Sequence, residues 1–398
     1  MLLGSFEFSN FLSHRNTVIK LQPVTVFVGP CNSGKSAVFD GLLNLAQLAS
    51  GRISQAFAPG PWSYLATLNR QAAPNGQIGF SVTFSNLDVR YDVSYRELWD
   101  GAHEEPRYEI LTERLLKEGV EVFDRSRNKF EGALSVLRDS MRGDRGLDKG
   151  VLAAIRAAYH QGGAADLPRD LVEVALEVSR IVKYRFESSN LRRVGGIDLE
   201  RQPRLRPRGE QLASVLYYND NGDREQFATL KRVLGEVIPG FEGFEFNTTR
   251  EQDVGFSVRF SDGRGVVSAA RLSDGTLHFI GLASLLILGG EDLPAVVCLE
   301  EPEVGLNSVS MRKLVTLIDD VAQHRQILVS THSPYLLTKL WNREGSNPFE
   351  CVHYVTIEQE GECAGFSCVR PMRDVPGDAP LRLTSSVEQA AKILDGRL

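Results

Sequence analysis

Apolar and polar positions follow two rhythms along this 398-residue chain. Residues 23–28 (Pro-Val-Thr-Val-Phe-Val) form a continuous β-branched run, which predicts a buried strand. A glycine-containing loop follows. Over 36–49, Val38, Leu42, Leu43, Leu45, Ala46 and Leu48 then suit a helix packed on a sheet. Strand, loop and helix in that order open an α/β unit. Ile78, Phe80, Val82 and Phe84 alternate with smaller or polar residues, and Val89, Tyr91 and Val93 do the same. Two strands joined by a turn over 85–88 are expected there. Residues 107–125 fit helix and strand equally. The Arg-, Asp- and Gly-rich stretch 126–147 reads as a mobile connection. Helices are expected over 148–160 and 168–183, and over 224–237 before Pro239-Gly240. A strand is expected at 256–260. The last third is clearest: helix 277–288, strand 295–299, helix 311–323 and strand 327–330, an alternation that indicates a parallel sheet.

Apolar residues make up 42% and charged residues 24%, ordinary globular usage. The formal charge of −6 excludes a globally basic nucleic-acid coat but not a local basic groove. Five cysteines at 31, 298, 351, 363 and 368 form no C-x-x-C pair, which reads as reduced thiols. The seven histidines show no metal-site spacing. The start, MLLGSFEFSNF, lacks a signal-peptide pattern, and the longest apolar run, 279–288, is too short to span a bilayer. A cytoplasmic protein with no membrane span is therefore expected.

Four strings carry chemistry. Gly29-Pro30-Cys31-Asn32-Ser33-Gly34-Lys35-Ser36 fits G-x-x-x-x-G-K-[ST] without a mismatch, between the strand and the helix such a loop requires. Its glycines let backbone N–H groups cradle phosphates. Lys35 would reach the outer phosphates and Ser36 would ligate Mg²⁺, so ATP and Mg²⁺ are the expected cofactors. Val296-Val297-Cys298-Leu299-Glu300-Glu301 is an apolar strand ending in two carboxylates, at the strand end where open parallel sheets bind ligands. Glu300 would serve the metal shell and Glu301 would orient the attacking water. Alone, the pair also reads as two solvated acids. Ile327-Leu328-Val329-Ser330-Thr331-His332-Ser333-Pro334 places His332 where it could contact the γ-phosphate. Leu272-Ser273-Asp274-Gly275-Thr276 opens a helix, with Ser273 as a natural N-cap and Gly275 permitting close backbone approach.

Taken in order, these strings resemble ABC-type ATPases. Ser273 precedes Glu301 by 28 residues, and His332 follows Glu301 by 31. The wording LSDGT, EEPE-x-GL and S-T-H-S-P-x-L-L looks less like a transporter than like the soluble OLD-type, RecF-like and SMC-like group. Residues 6–16 and 209–216 look like that group too. The resemblance implies an α/β P-loop NTPase fold, with an ABC-ATPase-like mixed-sheet core and an inserted helical and hairpin lid. It implies core segments at 1–95 and 209–357, a lid or arm at 96–208 that includes a strand hairpin over 107–125, and a tail at 358–398. It assigns LSxG as the signature, CLEEPE as the Walker B segment, residues 303–307 as the D-loop and His332 as the switch histidine. It further implies a homodimer in which Lys35 and Glu301 of one subunit face Ser273 and Gly275 of the other, with Lys35, Glu301 and His332 as the catalytic set.

Three departures stand out. Glu300 occupies a position where many relatives have Asp, and Asn307 one where relatives often have His. No Q-loop glutamine is obvious beyond Gln71 and Gln77. No Toprim-like acidic cluster is seen, so intrinsic nuclease activity is not expected. A nuclease or nucleic-acid partner, in antiviral defence or repair, is. Residues 183–208 hold eight basic residues against three acids, with Tyr184 and Phe186 among them. Arg192, Arg193, Arg201, Arg204, Arg206 and Arg208 are candidate contacts to DNA or RNA. The same arginines also read as partners for acids of the protein itself. A transporter ATPase subunit and a non-hydrolysing nucleotide-binding scaffold remain as alternatives.

Overall fold

A computed structural model describes residues 2–53, 64–69, 71–72, 76–98, 107–141, 148–163, 166–197, 202–222, 225–250, 252–342, 347–359, 364–375, 391 and 394. The chain divides into two compact units. One comprises Met1–Ile181, Asn347–Leu381 and Lys392–Leu398; the other comprises Val182–Ser346 and Arg382–Ala391.

The first unit is built on a seven-stranded antiparallel sheet. Strands β1 (Leu3–Phe11) and β2 (His14–Lys20) form a hairpin, and β1 also pairs with β4 (Ile78–Phe84). The ladder continues through β5 (Val89–Leu98), β6 (Arg107–Lys117), β7 (Val120–Asp124) and β8 (Lys129–Phe130). Alternation sends Ile78, Phe80, Val82 and Phe84 to the buried face. There Phe80 meets Phe6, Phe11 and Tyr95 at ring separations of 5.9, 5.5 and 6.2 Å. Strand β3 (Val24–Val28), buried throughout, runs into α1 (Lys35–Ser50). It pairs in parallel with β16 (Val352–Ile357), which pairs antiparallel with β17 (Ser367–Pro371). Helices α2 (Val151–His160) and α3 (Arg169–Val178) pack against α1.

In the second unit, β9 (Val182–Tyr184), β14 (Val296–Glu300) and β15 (Gln326–Ser330) form a parallel ladder with β14 in the middle. Strands β10 (Gly195–Gly196), β11 (Phe241–Thr248), β12 (Asp253–Phe260) and β13 (Gly265–Ser268) make a small antiparallel sheet. Helices α4 (Leu212–Asn221), α5 (Glu225–Val237), α6 (Asp274–Leu288), α7 (Ser308–Ala322) and α8 (Pro334–Trp341) complete it.

The expected α/β fold with mixed sheets is present, and three details differ. The helix expected over 168–183 stops at Val178, and residues 182–184 are strand. Burial of Ile181 and Tyr184 and pairing beside β14 outweigh helical periodicity there. The expected boundary at 95/96 falls inside β5, because the hairpin of β6 and β7 extends the same sheet. Of the connection expected at 126–147, residues 126–141 carry turns, β8 and 3-10 turns, and 142–147 lie outside the described residues. Most of the expected 358–398 tail also lies outside them. No described helix is long and apolar enough to cross a membrane.

Candidate functional site

In the first unit the phosphate-loop residues link β3 to α1. Gly34, at φ 102°, precedes the helix, and no side chain caps its first turn. Helix N–H groups left in that way suit an anion. The two glycines of the motif are required for different contacts. Gly29 has φ 145°, and a Cβ there would lie 2.0 Å from the Val355 carbonyl oxygen. A Cβ on Gly34 would lie 2.4 Å from Ser367 Oγ and 2.8 Å from both His14 Nε2 and Ser13 Oγ. Asn32 also adopts a positive φ, 60°, which asparagine tolerates better than most residues. Lys35 Nζ donates to the Gly29 and Pro30 carbonyls at 2.9 and 2.6 Å and approaches Ser33 Oγ at 3.4 Å. It thereby braces the loop it belongs to. Pro30 is half-buried, Ser33 is buried, and Cys31 and Ser36 are exposed.

His14 is a support that sequence reasoning missed. Fully buried, it lies with Nε2 3.1 Å from the Gly34 carbonyl and Nδ1 2.9 Å from Thr17 Oγ1. Burial holds its pKa down to about 4, so the ring is neutral at pH 7; Nε2–H donates to Gly34 and Nδ1 accepts from Thr17. It opens β2, directly after the turn at residues 12 and 13. His353, on β16 beside Phe27 of β3, is also held down to about 4, chiefly by burial. A histidine whose folded pKa lies below its unfolded value of about 6.5 destabilises the fold as pH falls. The loss starts near pH 6.5 and levels off near pH 4, at roughly 1.4 kcal/mol per pH unit for each group at full slope. Urea midpoints at pH 7 and pH 5 should therefore fall steeply for the parent chain and less so for His353→Leu. Equal falls in the two proteins would remove His353 from this account.

The second unit carries the other three strings. Strand β14 delivers Glu300, 4% exposed, at its carboxyl end. Glu301 follows with φ 48°, left-handed backbone that costs a non-glycine residue about 1–3 kcal/mol and clusters at working sites. Its N–H donates to the Ser330 carbonyl at 2.9 Å, tying it to the end of β15. His332 Nε2 lies 3.8 Å from Glu301 Oε1. Lys183 and Arg185, leaving β9 on the other side of β14, face the two acids. Lys183 Nζ is 3.3 Å and Arg185 Nη1 3.8 Å from Glu300 Oε2, and Arg185 Nη2 is 3.1 Å from Glu301 Oε2. Lys183 and Arg185 thus set positive charge against two adjacent carboxylates that repel each other. These two cations were read only as part of the basic stretch.

Before α6, Ser273 Oγ accepts the Thr276 N–H at 3.2 Å, as an N-cap does, and Ser273 itself is exposed. A Cβ on Gly275 would fall 2.0 Å from the Gly305 carbonyl oxygen, so the first turn of α6 and the loop at Gly305 touch backbone to backbone. Asn307 caps α7, its Oδ1 accepting from Val309 and Ser310 at 3.0 and 2.9 Å, which accounts for a residue that departs from the resembled pattern. Gln71 lies in a turn and Gln77 just before β4; neither gains a role.

Of the two readings of the basic stretch, pairing with acids of the protein itself accounts for several of its arginines. Arg192 binds Asp274 at 2.6 Å, Arg204 binds Asp292, Arg208 binds Glu187 at 3.5 Å, and Arg185 binds the acidic pair. Arg193 and Arg206 have no ion pair among the described residues, and Arg201 lies outside them. Pairing within its own unit explains much of the positive charge.

Ser36 and Glu300 offer hard oxygens of the kind Mg²⁺ takes. No group of three or more His, Cys, Asp or Glu able to hold a metal occurs among the described residues. Each oxygen, taken within its own unit, suits a metal completed by water and phosphate rather than a protein cage, the habit of Mg²⁺.

Residues 163–338 match a protein family described as "AAA domain, putative AbiEii toxin, Type IV TA system". That span contains the signature turn, the acidic pair and His332, but not the phosphate loop. Among curated proteins none matches. Among solved structures, the SMC head bound to the C-winged helix domain of ScpA is similar, at TM-score 0.53 and 13% identity, over 93% of this chain and 98% of that one. An SMC head domain from Thermotoga maritima gives 0.44 at 17% identity over 93% and 99%. An SMC head from Pyrococcus furiosus, with an extended coiled coil and the C-terminal domain of ScpA, gives 0.46 at 13% over 92% and 95%. The first of these likenesses is one of fold.

Proposed function

We propose that this ABC/AAA-like ATPase is a nucleotide-operated clamp. Two copies close around two ATP molecules, each copy presenting its phosphate loop to the other's signature turn, and hydrolysis releases them. Residues 29–36 hold the triphosphate. Ser36 would ligate Mg²⁺, which when bound would offset phosphate charge, and Glu300 would serve the ion's water shell. Glu301 aligns the attacking water, and His332 assists from the neighbouring strand end. The reaction transfers a phosphoryl group to water, a step in which positioning and charge stabilisation supply most of the rate.

The observation that carries this reading is the Glu301 backbone. An acidic residue held in left-handed conformation, tied to Ser330 and within 3.8 Å of His332, is a costly arrangement that a solvated strand end does not need. The closure of two copies is supported by Ser273, whose capped helix start is exposed, the kind of helix N-terminus that suits an anion. An isologous pairing would use the same two motifs at both sites.

The output is proposed to be control of a partner protein, a nuclease or other nucleic-acid effector, in a defence or repair setting. The SMC head of similar fold was solved with a domain of ScpA, and the matched family's description names a toxin–antitoxin system. Because Arg185, Arg192, Arg204 and Arg208 are engaged with acids, a protein partner is favoured over direct grip of DNA or RNA.

Ser273→Arg tests the closure. The variant should bind ATP as a monomer with near-parent affinity, while sedimentation velocity shows no ATP-dependent dimer. Persistence of a dimer with ATP would refute the clamp.

A further inference from the structure

Glu303 closes the CLEEPE string and opens residues 303–307, yet no step of the proposed hydrolysis has been given to its side chain, and its surroundings are specific. It sits two residues beyond Glu301, in the turn after β14, and its side chain points into the loop that follows β15. Oε1 accepts three hydrogen bonds, from Thr331 Oγ1 at 2.7 Å, His332 N at 2.8 Å and Ser333 N at 3.1 Å. Oε2 is buried with no hydrogen-bond partner among the described residues. The three donors are consecutive residues, and the middle one is His332. One carboxylate oxygen therefore fixes the backbone of the whole switch segment against the turn that carries Glu301.

We infer that Glu303 is a positioning residue for ATP hydrolysis, setting the approach of His332 to Glu301 by gathering residues 331–333 onto a single oxygen. The inference rests on the reading of Glu301 and His332 as the hydrolytic pair.

The geometry argues against a purely structural role. Buried side-chain oxygens are normally hydrogen-bonded, and one that is not, such as Glu303 Oε2, calls for an explanation beyond packing. Here all three hydrogen bonds converge on Oε1. Thr331 Oγ1 also lies 3.0 Å from the Ser333 N–H, so the segment closes on itself around that oxygen. Ser333 then caps α8, accepting from Leu336 N at 3.2 Å, so the fixed segment is anchored at its far end as well. Misplacing a catalytic group by an ångström can cost on the order of 100-fold in rate while leaving substrate binding intact. That split between kcat and KM is the readout.

The experiment measures steady-state ATP hydrolysis and melting temperature for the full chain and for Glu303→Ala, Glu303→Gln, Thr331→Val and Glu301→Gln. Glu303→Ala should lose on the order of 100-fold in kcat, with KM for ATP within about threefold of parent. Glu303→Gln keeps an acceptor oxygen in place of Oε1 and should restore kcat to within about tenfold of parent. Thr331→Val removes one of the three donors and should fall between the two; it carries the test if Glu303→Ala does not fold. The inference is overturned if Glu303→Ala, or Thr331→Val in its place, turns over like the parent, or if Glu303→Gln is as inactive as the folded alanine variant. Normal turnover by Glu301→Gln would instead sink the assignment of the hydrolytic pair, a separate outcome visible in the same set.

Discussion

Replacing Glu301 by Gln is expected to leave ATP binding intact and to lower turnover by about 10²–10⁴-fold, the usual range for a positioned general base. The amide keeps the size and the left-handed backbone of the residue, so the strand end should survive. What is lost is the negative charge that orients and accepts from water. The same change frees Arg185 from its 3.1 Å partner and leaves Glu300 with both cations. Bound ATP should persist, and the closed pair of copies should accumulate. Light scattering after mixing with ATP and Mg²⁺ would show twice the monomer mass, stable for many parent turnover times. A Glu301→Gln protein that hydrolyses at the parent rate would remove this carboxylate from the chemistry.

Replacing Lys35 by Ala is expected to weaken ATP binding by at least about 100-fold, because a buried ammonium serving phosphate oxygens is lost. A second effect follows from the structure. Lys35 Nζ braces the carbonyls of Gly29 and Pro30, so its removal leaves the loop without its internal tie as well as without its phosphate ligand. Isothermal calorimetry with ATP would measure the loss. Retained micromolar affinity would contradict the assignment of residues 29–36. Lys35→Arg separates the two effects, since it keeps the charge but changes the reach and the geometry of the donors.

The setting of the phosphate-loop string was legible because its pattern is local. Gly29 to Ser36 lie in one unbroken string between an apolar strand and a helix, and the structure puts them there. The strand pattern of 78–84 and 89–98 was legible for the same reason, since period-two alternation needs no knowledge of the rest of the chain. What escaped depends on distant parts meeting. His14 reaches Gly34 from a hairpin 20 residues earlier. Lys183 and Arg185 face Glu300 and Glu301 across about 116 residues, and the strand that brings them there reads locally as the end of a helix. Apolar periodicity marks which face is buried; it cannot show which neighbour is waiting. The arginines of 183–208 teach the same lesson in reverse. Counted in sequence they look like a surface for polyanions, and in three dimensions four of them are matched to carboxylates of their own unit. Exposed pairs of that sort add little stability, but they do neutralise the local field.

The close approach of Gly275 to Gly305 has a mechanical consequence. Two turns that meet through bare main chain have no flexible side chain between them to absorb a displacement. A shift of either one must therefore be met by main-chain movement of the other. A single methyl at position 275 would jam that contact, displacing Gly305 and with it the loop running on to Asn307 at the head of α7.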